Sequence, residues 1–301
     1  MTQPLFRGAA TALVTPLRDG KVDVDALRRL VEQQLENGVA ALVSCGTTGE
    51  PSTLSLEERE LVIRETVKAV NGRVPVICGT GANCTQTVID NERRFRELGC
   101  AAQLVVTPYY NKTSQEGLYA HFMAIAEHTE LPIILYNVPS RTTLEILPDT
   151  LRRLIPSGRF IALKEASANL SLVLEKLDAI DGRLTLYSGN DDQTIPLMAV
   201  GASGLISVLS NVMPAEVSRM TRRFLEGDWK GSAAEQLRLI EIMNAMFMTV
   251  NPIPVKTAMA MLGACSPEMR LPLAEMSEAE NEKLASVLRK YGLLPKTEEK
   301  K

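Results

Sequence analysis

Eight short apolar runs punctuate the first two thirds of the chain, at residues 9–14, 40–45, 76–78, 103–106, 133–136, 161–163, 184–187 and 204–208. Most are continuously apolar rather than alternating, the pattern of strands covered on both faces. A helical pattern follows each one. After Asp23 the spacing of Val24, Leu27, Leu30, Val31 and Leu35 before Gly38 predicts an amphipathic helix. Ser55 with Glu58 three residues on predicts a capping box. The helix it opens buries Leu61, Val62, Val67 and Val70 and should close at Gly72.

Connections that hold one helix suit parallel crossovers, and eight such units predict a closed (β/α)8 barrel over residues 1–227. The rival is a doubly wound open sheet. It calls for a glycine-rich nucleotide fingerprint after the first strand, where this chain has Thr15-Pro16-Leu17. Past Gly227 the pattern changes to helix alone. Segments near 230–248, 252–263 and 277–291 predict a small C-terminal helical appendage, residues 228–301, with a frayed charged tail over 296–301.

Composition narrows the function more than the fold. With 301 residues and 45% apolar content the chain can bury a large core, and its net charge of −3 carries no basic block outside the tail. Nucleic acid and anionic membrane are therefore poor partners, and no apolar stretch reaches membrane length. Five cysteines, Cys45, Cys78, Cys84, Cys100 and Cys265, are odd in number and show no CxxC spacing, so they read as reduced core residues. The N-terminus has no signal-peptide pattern, which points to a cytoplasmic enzyme working on small molecules.

In a barrel, chemistry gathers at the C-terminal ends of the strands. Lys164 follows the run 160–163 and precedes Glu165-Ala166-Ser167, so it stands at such an end. Partial burial there should disfavour the ammonium form and leave free amine for attack on a ketone, the requirement of a Schiff-base enzyme. The plain alternative is a lysine extending into solvent. The second strand ends in Gly46-Thr47-Thr48-Gly49-Glu50, a turn whose amides and hydroxyls can hold a carboxylate, or simply a capped turn. Four of six tyrosines, Tyr109, Tyr110, Tyr136 and Tyr187, fall at predicted tips, where phenols and a threonine hydroxyl can relay protons. Arg141 offers a forked donor for a substrate carboxylate, or a surface ion pair. Only two histidines, His121 and His128, are present and no GxSxG elbow or P-loop occurs, so zinc, serine-hydrolase and nucleotide chemistries lack parts.

These residues resemble the dihydrodipicolinate synthase (4-hydroxy-tetrahydrodipicolinate synthase) family, within the pyruvate-dependent class I aldolase superfamily that also includes N-acetylneuraminate lyase. The resemblance rests on Val14-Thr15-Pro16, Gly46 to Glu50, Gly79-Thr80-Gly81-Ala82-Asn83, Thr107 to Asn111, Tyr136 to Thr142, Lys164-Glu165-Ala166, Ser188-Gly189-Asn190-Asp191 and Asn251 to Lys256, in order along nearly the whole chain. Thr47-Thr48 within the turn and Arg141 after Val138-Pro139-Ser140 favour the synthases over the sialic-acid lyases.

The resemblance implies an imine between Lys164 and pyruvate, with a proton relay of Thr47, Tyr136 and Tyr110. It implies that Thr48 helps bind the pyruvate carboxylate, that Arg141 binds L-aspartate 4-semialdehyde, and that the backbone at Gly189 and Ile206 shapes the pocket. It also implies no metal and no organic cofactor, because the protonated imine is the electron sink. Tyr110 would reach the active site of the adjacent subunit, within a tight dimer and a homotetramer. The family's allosteric cleft commonly holds a histidine and a glutamate where this chain has Leu56 and Thr87, while Asn83 and Tyr109 remain, so feedback by L-lysine is expected to be weak or absent. Two departures stand out: Ser167-Ala168-Asn169 where the middle residue is commonly glycine, and Thr249-Val250 where Glu and Pro are usual before Asn251. A sugar-acid or hydroxy-acid aldolase would keep Lys164 and Tyr136 but has no need of Arg141. A catalytically silent barrel would have no need of Lys164, Tyr110 and Tyr136.

Overall fold

A computed structural model describes residues 3–295, so the charged tail at 296–301 lies outside the described residues. Its centre is a closed barrel of eight parallel strands. We label them β1 (Gly8–Ala12), β2 (Ala41–Ser44), β3 (Val76–Gly79), β4 (Ala102–Val106), β5 (Ile133–Asn137), β6 (Phe160–Glu165), β7 (Thr185–Ser188) and β8 (Gly204–Ser207). Each predicted run lies on one of them, and each strand pairs with its sequence neighbours until β8 closes on β1. The seam is tight: a Cβ on Gly204 would stand 1.9 Å from the Gly8 carbonyl oxygen, so no larger residue fits there without moving backbone. A two-stranded hairpin, Leu17–Arg18 with Lys21–Val22, is an addition the apolar runs did not reveal.

Local chemistry accounts for the helix ends. Asp23 caps Val24–Glu36, accepting a hydrogen bond from the Ala26 amide, and Ser55 with Glu58 forms the predicted capping box on Leu56–Val70. That second helix closes on Asn71, which takes the left-handed conformation, and Gly72 follows it with φ 73°. The expected stop at Gly72 is therefore shared with Asn71, whose short polar side chain tolerates that region.

The C-terminal helices are Trp229–Ala245, Ile253–Met261 and Glu278–Lys290. They form no separate core. Leu239, Ile242, Met246, Val255, Ala258, Leu284 and Leu288 belong to the same apolar cluster as Ala9, Leu135, Leu163 and Leu205 of the barrel. Cys45, Cys78 and Cys100 are buried, as expected of core residues, whereas Cys84 is exposed immediately before the helix Thr85–Arg96. Hydrogen bonds from the Thr87 backbone, then the Thr87 side chain and the Gln86 backbone, hold the Cys84 thiol below its usual pKa. Among the described residues no helix is long and apolar enough to cross a membrane.

Candidate active site

β5 and β6 set the geometry at the barrel mouth. Tyr136 pairs in register with Lys164, and the next pair is Asn137 with Glu165. Successive side chains alternate across a strand, so the first pair faces the barrel interior and the second faces the surrounding helices. Lys164 is only 6% exposed, and its ammonium nitrogen stands 4.2 Å from the centre of the Tyr136 ring. β6 continues one residue beyond Lys164, to Glu165.

The Tyr136 ring also lines a cavity of about 340 Å³ bounded by Gly46, Thr47, Val138, Arg141, Asn251 and Pro252, among others. Thr47 comes from the 3₁₀ turn Thr47–Gly49 after β2, and Arg141 from the short helix Pro139–Thr142, started by proline at its first position. Tyr109 lies on the same wall. Gly189 leaves room for the lysine stem: a Cβ there would stand 3.2 Å from Lys164 Cε and 2.8 Å from the Ala166 Cβ. Ile206 is fully buried inside the barrel with Ala10 and Ala12.

Thr48 is buried behind Thr47, and its hydroxyl oxygen accepts a hydrogen bond of 3.1 Å from the Asn251 side-chain amide. The Asn251 backbone carbonyl in turn accepts from an Arg141 terminal nitrogen at 3.1 Å. One residue of the C-terminal helical region thus joins two carboxylate-binding candidates across the cavity, and its own Oδ1 is buried with no partner among the described residues. Sequence reasoning gave Asn251 no role. The signal available was its place before the proline-flanked 252–256 segment.

Two further buried lysines stand behind the site, each paired with carboxylate. Lys256, on Ile253–Met261, donates to Glu50 Oε1 at 2.6 Å and to the Glu268 carbonyl at 2.7 Å. Both charged side chains are essentially unexposed, which anchors the threonine turn to the C-terminal helices. Burial pushes the Glu50 carboxyl above its usual range, and Lys256 and then Arg270 partly offset that. Lys176 pairs with Glu145 and Glu165. Lys164 belongs to no ion pair among the described residues.

Other sequence-identified residues fall elsewhere. Tyr187 is not at the mouth: its ring stacks on Phe6 with centroids 4.1 Å apart, and its hydroxyl donates to the Phe6 carbonyl. Burial pushes that phenol up to about 12. The shear of the barrel explains the difference, because the pairing level that holds Tyr136 and Lys164 continues through Tyr187 to Gly204 and Gly8, the first residues of β8 and β1. Tyr110 lies outside the cavity, 92% exposed with φ 73°. Of the residues tied to an allosteric cleft, Asn83 accepts through its carbonyl from the Asn111 side chain, Leu56 packs partly buried at a helix start, and Thr87 is exposed. The two departures also leave marks. Ala168 adopts φ 60°, the region that explains a glycine preference, and the Thr249 hydroxyl is buried with no partner among the described residues.

Comparison with known proteins gives a consistent result. Residues 5–291 match the model of the "Dihydrodipicolinate synthetase family". A 4-hydroxy-tetrahydrodipicolinate synthase of Pelobacter propionicus is 48% identical, covering 96% of this chain and all of that protein. A chloride-inhibited dihydrodipicolinate synthase from Acinetobacter baumannii, solved with pyruvate, is 41% identical over 96% of this chain and 99% of its own, with a TM-score of 0.93. A monomeric dihydrodipicolinate synthase variant is likewise 41% identical, covering 96% and 98%, with a TM-score of 0.94.

Proposed function

The chain belongs to the dihydrodipicolinate synthetase family, and from that premise we propose that it condenses pyruvate with L-aspartate 4-semialdehyde as a 4-hydroxy-tetrahydrodipicolinate synthase of the diaminopimelate and lysine pathway. The observation that carries this reading is a buried lysine, in no ion pair among the described residues, set against Tyr136, which lines a cavity together with Thr47 and Arg141.

In this reading the Lys164 amine adds to the pyruvate ketone, forming a C–N bond and a carbinolamine. Protonation of its hydroxyl lets water leave, and the protonated imine then loses a methyl proton to become an enamine. Its nucleophilic carbon adds to the semialdehyde carbonyl, whose oxygen takes up a proton. The substrate amine then attacks the imine carbon, closing the ring and expelling Lys164. Tyr136 and Thr47 carry the protons at the cavity, with Tyr110 as a third member contributed by a neighbouring subunit. Thr48, backed by Asn251, helps hold the pyruvate carboxylate, and Arg141 takes that of the semialdehyde. The backbone at Gly189 and Ile206 shapes the space around Lys164. The active unit is a homo-oligomer, a tight dimer within a tetramer, and the extreme exposure of Tyr110 supports the shared site. We assign residues 1–227 to the catalytic barrel and 228–301 to the helical appendage, and place the enzyme in the cytoplasm.

Borohydride trapping with pyruvate tests the centre of this proposal. Peptide mapping should find the reduced adduct on Lys164 alone, and an adduct on another lysine, or equal labelling of Lys164→Ala, would end the assignment. Oligomers mixed from Tyr110→Ala and Lys164→Ala chains should regain activity at sites that combine an intact lysine with a neighbour's intact tyrosine. Verified mixed oligomers that stay inactive would count against the shared site.

A further inference from the structure

On the outer side of β5 and β6 lies a group of charges that the reaction does not use. Lys176, on the helix Leu170–Ile180, is fully buried on the same face as Val173, Ala179 and Ile180. An ammonium there is tolerable only with partners, and it has two. Its nitrogen donates to Glu165 Oε2 at 2.7 Å and also to Glu145 Oε1. The Asn137 side-chain amide donates to both carboxylates, at 2.5 Å to Glu145 and 3.0 Å to Glu165. The Ser167 amide donates to Glu165 Oε1 at 2.6 Å, and Asn137 Oδ1 accepts from the Ile146 amide at 2.9 Å. Every oxygen of Glu165 is thereby engaged.

The members are chain neighbours of the reacting groups. Asn137 follows Tyr136, Glu165 follows Lys164, and Asn137 and Glu145 bracket the loop that carries Arg141. The two strands can hold Lys164 against Tyr136 on the inside only while Asn137 and Glu165 keep their places outside. Two carboxylates converge there on a single cation. Without it the buried Glu165 and the partly exposed Glu145 would face each other unbalanced, a repulsion that would push the strand ends apart.

We propose that Lys176 is a positioning residue for Schiff-base formation: by balancing Glu145 and Glu165 it fixes the ends of β5 and β6, and so the placement of Lys164 relative to Tyr136 and Arg141. The role rests on the Schiff-base reading of Lys164.

The test is single-turnover imine formation with pyruvate, trapped by borohydride, alongside thermal melting and pyruvate affinity. Lys176→Met should slow imine formation about tenfold or more while pyruvate affinity changes far less, the split expected when a reacting group is displaced rather than a binding group lost. Adding Glu145→Gln removes the excess negative charge, so Lys176→Met/Glu145→Gln should recover most of that rate. If Lys176→Met alone does not fold, the double variant is read by itself and should fold yet form the imine about twofold to threefold slower than wild type. A folded Lys176→Met that forms the imine at the wild-type rate overturns the proposal, as does a wild-type rate in the double variant when the single one cannot fold. Failure of the wild type to trap at Lys164 would instead remove the Schiff-base reading, and the role of Lys176 with it.

Discussion

Replacing Lys256 by methionine isolates what the buried link between the threonine turn and the C-terminal helices contributes. The substitution roughly preserves volume but leaves the Glu50 carboxylate in an unexposed site, with Oε2 already lacking a partner and Oε1 deprived of its 2.6 Å contact. Removing one member of a buried ion pair costs roughly 3 to 5 kcal/mol. At about 2 °C per kcal/mol for a chain of this size, the melting temperature should fall by about 6 to 10 °C. The loss should also depend on pH. Burial already raises the Glu50 pKa, and Lys256 is the largest influence opposing it, ahead of Arg270. Without Lys256 the folded-state value moves further above the unfolded one. The native state then binds a proton more tightly, so stability is lost as pH rises from the unfolded carboxyl value through the folded one. Melting wild type and variant at pH about 5 and about 7.5 should show the smaller gap at the acid end. A further Glu50→Gln change should return much of the loss at neutral pH. A variant that melts within about 2 °C of wild type at neutral pH, or a gap that widens as pH falls, would refute the reasoning.

Arg141→Ala should raise the KM for the semialdehyde about tenfold to a hundredfold, the equivalent of roughly 1.5 to 3 kcal/mol for a charged hydrogen bond, with pyruvate imine formation largely preserved. Equal damage to both substrates would mark a structural arginine. Feedback by L-lysine should be weak, because Leu56 and Thr87 offer no charged partner for the ligand, at a loss of about tenfold or more in affinity. A titration at sub-saturating pyruvate checks this, and half-inhibition well below about a millimolar would contradict it. Ala168→Gly should stabilise the chain by roughly 0.5 to 1 kcal/mol, because relief of a left-handed alanine outweighs the extra freedom of unfolded glycine. A melting temperature that stays level or falls would show that the φ of 60° carries no strain.

Features encoded locally were the legible ones. The barrel strands announced themselves because each is buried on both faces, and the C-terminal helices begin within a residue or two of the predicted starts at 230, 252 and 277. Asp23 and Ser55 cap their helices through contacts three residues away, which a linear reading can find. Tyr187 misled because its height in the barrel is set by stagger accumulated around the whole sheet, which no single strand records. Asn251 meets Thr48 across 203 positions and Arg141 across 110, and neither distance leaves a local pattern. Lys176 was passed over for a related reason. In the sequence it reads as one charged residue of a helix, and only the packed fold brings Glu145 and Glu165 to it.

Among the described residues three lysines are buried, Lys164, Lys176 and Lys256, and they are distinguished by the groups around them more than by depth. A keto acid reacts with whichever amine can present a lone pair, and an interior with several amines risks condensing with the wrong one. Here two of the three donate hydrogen bonds to carboxylates, while the third faces an aromatic ring and, among the described residues, has no carboxylate partner. On the Schiff-base reading proposed for Lys164, that arrangement would keep the two structural amines from the keto acid that the third must meet. On that reading, chemoselectivity inside the molecule would come from the placement of three glutamates, Glu50, Glu145 and Glu165, as much as from Lys164 itself.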